Sequence, residues 1–133
     1  MIDEIRIWEY AFQISSGLLH MHQRRIMHRD LKPANIFIAS DGTLKLGDLG
    51  LGRYFSSQTL EALSRVGTPL YMSPEVLTTT GYSYKSDVWS LGCIIYELAA
   101  LRSPFKSEEE KMSLYDLFKK INEGRFKKEN ISQ

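Results

Sequence analysis

Cysteine is all but absent: Cys93 stands alone among 133 residues. An intrachain disulfide framework is therefore excluded, no thiolate cluster is available for a metal, and a reducing compartment fits. Charge of one sign is lacking as well. With 17 Lys and Arg against 16 Asp and Glu, the formal net charge is +1, so no global field directs the chain to nucleic acid or to an anionic membrane. Asp3, Glu4 and Arg6 interrupt any apolar start, and no stretch approaches the roughly 20 apolar residues of a membrane span. Internal repeats, linkers and low-complexity segments are also missing. What remains is the composition of a soluble cytoplasmic protein, one domain in length.

Periodicity orders the chain. Ile7, Ala11, Ile14, Leu18, Leu19 and Met21 recur at helical spacing, which predicts an amphipathic helix from about Ile5 to Gln23. His20 and His22 near its end have no Cys, Asp or Glu at ligand spacing and are expected at the surface or in capping roles. Ile36-Phe37-Ile38-Ala39, the turn signal Ser40-Asp41-Gly42 and Thr43-Leu44-Lys45-Leu46 predict a β-hairpin. Arg53 to Val66 has no clean period and reads as a loop of functional length. From about Ser86 to Leu101 apolar residues lie on nearly all sides, the pattern of a helix in the middle of a core. A further helix is predicted from about Ser113 to Glu123, with Leu114, Leu117, Phe118 and Ile121 in one stripe. Gly124 to Gln133 reads as a polar, frayed tail. Lys119, Lys120, Lys127 and Lys128 alternate with Glu123 and Glu129, a solvated face rather than a nucleic-acid site.

Four blocks carry more information than the pattern of elements. His28-Arg29-Asp30-Leu31-Lys32-Pro33-Ala34-Asn35 matches the catalytic loop of protein kinases at every fixed position. Asp48-Leu49-Gly50 follows, then Gly67-Thr68-Pro69 with Ser73-Pro74-Glu75, then Ser86-Asp87-Val88-Trp89-Ser90-Leu91-Gly92. A lone block of this kind is a weak signal, whereas four in order and at the right spacing cover most of the chain. Together they resemble the C-terminal lobe of a eukaryotic serine/threonine kinase. The stretches Arg24 to Asp30, Leu46 to Arg53 and Gly67 to Glu75 are similar to the NIMA-related kinases, particularly the short members with little beyond the kinase domain. Leu49, where most kinases carry phenylalanine, is found in that group. The fold implied is mainly α with a small β-hairpin, the C-terminal lobe of the protein-kinase-like α+β fold, truncated at both ends, with residues 1–133 forming a partial kinase domain.

The resemblance assigns roles residue by residue. Asp30 would be the catalytic base, and Lys32 would neutralise the transferring phosphoryl group. Asn35 and Asp48 would hold Mg2+ on the phosphates of ATP. Phe37 would lie under the adenine ring, although an ordinary core phenylalanine explains it equally well. Thr68 would tie the substrate loop to Asp30 and Lys32, the mark of kinases acting on serine or threonine. His28 and Leu49 would stack, and Asp87 would anchor the catalytic-loop backbone. Ser64 would be the activating phosphorylation site, its phosphate paired with Arg29 and Arg53 and added by an upstream kinase; Ser56, Ser57 and Thr59 are rival sites.

Departures from the family pattern set the alternatives. No Gly-x-Gly-x-x-Gly loop precedes His28, and 27 residues leave no room for a strand lysine with its helix glutamate. Glu75 would lack the arginine that usually pairs with it, and an unpaired buried carboxylate costs several kcal/mol, on the order of a lost ion pair. Two readings follow. Either the chain is part of a longer ATP- and magnesium-dependent kinase acting on protein substrates, or it is a non-catalytic truncated lobe serving as a binding module. The resemblance also implies mitotic or cell-cycle control, with a cytoplasmic, spindle, centrosomal or nuclear location.

Overall fold

The computed structural model describes residues 2–47, 69–78, 81–106 and 111–126. Helix α1 spans Glu4–Gln23, strands β1 and β2 span Ile36–Ile38 and Leu44–Leu46, and helices α2, α3 and α4 span Pro74–Leu77, Tyr84–Ala100 and Leu114–Asn122. A 3-10 turn, Pro33–Asn35, leads into β1.

The first helix follows its predicted face. Ala11, Ile14 and Leu18 are buried, and Glu4 in the first turn complements the helix dipole. Its end is sharp. Ile26 N–H returns to the Met21 carbonyl at 3.0 Å and Arg25 N–H to that of His22 at 2.9 Å, while Arg25 sits in the left-handed region at φ 61. This is a Schellman termination with arginine where glycine is usual.

The hairpin is antiparallel, pairing Ile36 with Leu46, Phe37 with Lys45 and Ile38 with Leu44. Gly42 supplies the positive φ of 84 at the turn, and the Asp41 carboxylate accepts Thr43 N–H at 2.9 Å. Alternation sends Ile36, Leu44 and Leu46 toward α1 and leaves Phe37 outside. The hairpin is locked to α1 by the Leu44 N–H, which donates to the Gln13 side-chain carbonyl at 2.8 Å.

Two buried clusters form the core. Ile14, Leu18, Leu31 and Ile94 join α1, the catalytic-loop segment and α3. Cys93, Phe105, Leu117 and Ile121 join α3, the stretch after it and α4. Tyr71 packs against both, and adjacent residues of α3, Cys93 and Ile94, feed one cluster each. The expectation that α3 is buried all round is corrected. Ser86, Asp87, Ser90, Cys93 and Ile94 are buried, but Val88 is 51% exposed, because the described residues cover only one side of the helix. Ser113 and Asp116 form a reciprocal cap at the start of α4, with Ser113 Oγ accepting Asp116 N–H at 3.2 Å and Asp116 Oδ2 accepting Ser113 N–H at 3.3 Å. Among the described residues no helix is long and apolar enough to cross a membrane.

Candidate active site

The site grows from the turn that leaves α1. Residues 28–32 run in irregular backbone between the helix and the 3-10 turn, and Arg29 is held at φ 69. A side-chain-bearing residue pays roughly 1–3 kcal/mol for such a conformation, so surrounding bonds must determine it. Those bonds come from Asp87, which is fully buried on α3. Its Oδ2 accepts His28 N–H at 2.9 Å and its Oδ1 accepts Arg29 N–H at 3.1 Å. The anchoring role expected of Asp87 is therefore present in the geometry.

His28 fixes the next distance. Its Nε2 lies 2.9 Å from the Gly47 carbonyl, which can only accept, and its Nδ1 lies 3.3 Å from Asp30 N–H, which can only donate. The ring proton therefore sits on Nε2. Through this one buried ring the backbone of Asp30 is tied to the exit of the hairpin. Gly47 N–H in turn donates to the Asn35 carbonyl at 2.9 Å. The Phe37 ring rests on this glycine: a Cβ on Gly47 would stand 2.6 Å from Phe37 Cε2, so a larger residue there would push the exposed ring aside.

Asp30, Lys32 and Asn35 converge. The Asn35 amide nitrogen donates to the Asp30 carbonyl at 2.7 Å and to Asp30 Oδ2 at 3.1 Å, and Lys32 Nζ lies 3.5 Å from the same oxygen. Asn35 is buried, whereas Asp30 and Lys32 keep side-chain exposures of 13% and 29%. A carboxylate open to solvent is thus flanked by a cation and a carboxamide. Because the amide nitrogen of Asn35 is spent on Asp30, its carbonyl oxygen is left as a donor of the hard type that magnesium takes. Phe37 is 55% exposed. The core reading of that residue is overturned, and an apolar face beside Gly47 is available to a flat ligand.

Asp48, Leu49, Arg53, Ser64 and Thr68 lie outside the described residues, as do Ser56, Ser57 and Thr59. The expectation for Glu75 is corrected: it is only half-buried, and it accepts the Ser86 hydroxyl at 2.7 Å. Burial pushes its carboxyl up, but the hydrogen bonds, led by that of Ser86, outweigh this and leave it below its ordinary value. Among the described residues no group of His, Cys, Asp and Glu could hold a metal unaided.

A family described as the protein kinase domain matches residues 1–132. The chain belongs to the protein kinase family. Curated relatives refine the branch. Serine/threonine-protein kinase Nek3 of Mus musculus is 44% identical over 93% of this chain and 24% of its own length. Serine/threonine-protein kinase Nek2 of Mus musculus is 46% identical over 96% of this chain and 29% of its length, and Nek2 of Homo sapiens is 42% identical over the same shares. The chain thus spans between 24% and 29% of these relatives' length. The NIMA-related serine/threonine branch expected from the motifs is the one found.

In this kinase chain two site residues escaped the sequence reading. His22, expected at the surface or in a cap, places Nε2 2.7 Å from Asp87 Oδ2, and the Tyr82 hydroxyl lies 2.5 Å from Asp87 Oδ1. His22 and Asp87 are 65 positions apart, and no spacing rule pairs residues at that separation. The usable signal for Tyr82 was its position five residues before an aspartate already assigned to the site.

Proposed function

We propose that these residues form the catalytic half of a kinase that transfers the terminal phosphoryl group of ATP to serine or threonine of protein substrates. The convergence of Asp30, Lys32 and Asn35 on one short loop carries the proposal. In it, Asp30 takes the proton of the attacking hydroxyl, and Lys32 neutralises charge on the phosphoryl oxygens as they pass to the acceptor. Mg2+, held through oxygens of Asn35 and Asp48, supplies charge neutralisation on the phosphates when bound. Phe37 offers its exposed ring to the adenine, and Thr68 ties the substrate loop to Asp30. Ser64, phosphorylated by an upstream kinase, pairs with Arg29 and Arg53 to order the activation loop.

The reading extends to residues 1–133 as part of a larger kinase domain, and to mitotic or cell-cycle control at the spindle, the centrosome or the nucleus, on the strength of the likeness to NIMA-related kinases. The test uses the protein as its own cells make it, tagged at its gene and captured, with labelled ATP and paired serine, threonine and tyrosine peptides. Magnesium-dependent labelling of serine and threonine peptides is expected, with Asp30→Ala lowering the rate by about 10²- to 10⁴-fold. Equal labelling by the Asp30→Ala protein would refute the proposal.

A further inference from the structure

Asp87 takes its four hydrogen bonds in a symmetrical way. Each carboxylate oxygen receives one backbone N–H from the catalytic loop and one side-chain group: His28 N–H and His22 Nε2 on Oδ2, Arg29 N–H and the Tyr82 hydroxyl on Oδ1. The side chain has no exposed surface, so no water completes the set. His22 belongs to α1 and Asp87 to α3, both rigid elements. Tyr82 belongs to neither. It lies in residues 81–83, the stretch that enters α3.

We propose that Tyr82 is a positioning residue for the catalytic loop: its hydroxyl orients the Asp87 carboxylate so that Oδ1 holds Arg29 N–H and, with it, the left-handed turn that delivers Asp30. Three observations carry this. The Tyr82 bond, at 2.5 Å, is the shortest of the four. It falls on the oxygen whose backbone partner is the strained residue, Arg29 at φ 69. Loss of the hydroxyl would leave that oxygen with only the longest bond, 3.1 Å, and free the carboxylate to rotate about Cβ–Cγ toward its His22 and His28 side. Burial first, and the bond to Asp87 second, raise the phenol above its ordinary value, so the group stays a donor across the physiological range. A displacement of residues 81–83 would therefore reach Asp30 through a single carboxylate.

The functional meaning of this relay rests on the reading of Asp30 as the catalytic base, but its test does not. Tyr82→Phe keeps the ring and removes only the hydroxyl. In the full 133-residue chain, amide exchange followed by NMR should quicken about tenfold at His28 and Arg29, as expected for the loss of a hydrogen bond to a charged group. Exchange at Ile14, Leu18 and Ile94 should stay unchanged. Tyr115→Phe, which removes the hydroxyl of a residue 74% exposed on α4, should leave all five amides as they were. Unchanged exchange at His28 and Arg29 in Tyr82→Phe would overturn the proposal, and so would a uniform rise across all five. A second observation needs no variant. The wild-type chain should show a slowly exchanging Tyr82 hydroxyl proton with a nuclear Overhauser contact to the Arg29 amide, and absence of that contact would also overturn it.

Discussion

Asp87 concentrates the physical chemistry of this molecule in one side chain. A carboxylate without solvent exposure is tolerated because four partners surround it, from α1, the catalytic loop and residues 81–83. Asp87→Ala would strip the acceptor from two buried backbone N–H groups, one of them on a strained residue. It is expected to destabilise the chain by about 3 kcal/mol or more, read from urea denaturation followed by circular dichroism. A loss below about 1 kcal/mol would mean that water replaces the carboxylate. That Asp30, Lys32 and Asn35 meet was legible from their places in one stretch of eight residues, since so short a loop can bring only a few side chains together. The environment of Asp87 was not. Its neighbours come from positions 22, 28, 29 and 82, and only folding makes them adjacent.

At the scale of elements, helix α1, the hairpin and α4 follow from periodicity, turn chemistry and capping. Those signals act within a few residues, so they survive any tertiary arrangement. The Ser113 and Asp116 cap shows this: hydrogen bonds from the Ser113 side chain and backbone lower the Asp116 carboxyl below its ordinary value, so the cap is complete above the carboxylate range and fails as pH drops through it. Burial of α3 was misjudged for the opposite reason, because an apolar helix records what can be covered and not which side is covered. The Schellman turn at Arg25 gives a local prediction. Glycine adopts φ 61 without the cost that arginine bears, part of which returns as greater freedom in the unfolded chain. Arg25→Gly is expected to stabilise the chain by about 0.5 to 1 kcal/mol, seen as a higher urea midpoint at unchanged slope. Destabilisation would show that the arginine side chain contributes more than the strain removes.

Considered whole, the described residues form two clusters that meet on α3, with three weakly acidic groups pushed upward: Cys93 and Tyr71 at the clusters and Tyr82 beside Asp87. Burial, then the neighbouring Glu97, raises the Cys93 thiol to about 12. Burial and the hydrogen bond to Glu97 raise the Tyr71 phenol, and burial with the bond to Asp87 raises that of Tyr82. In each case the folded chain holds a proton that the unfolded chain releases. Stability from these groups is thus full below the unfolded values of roughly 8.5 for cysteine and 10 for tyrosine, and is lost as pH climbs toward 12. The urea midpoint should be level from pH 7 to 8 and fall steadily above about pH 9, with Cys93→Ala removing the earliest part of the fall. A midpoint level to pH 11 would contradict the burial of all three. By itself the sequence determined the kinase branch, through four blocks in order, and the local elements, the hairpin and the faces of α1 and α4, through spacings of two to eight residues. The tertiary structure alone decided how that loop is held, through His22, Tyr82 and the His28 link to Gly47, and which flank of α3 is covered. Such contacts depend on where distant segments come to rest, and burial then gives each of them its strength.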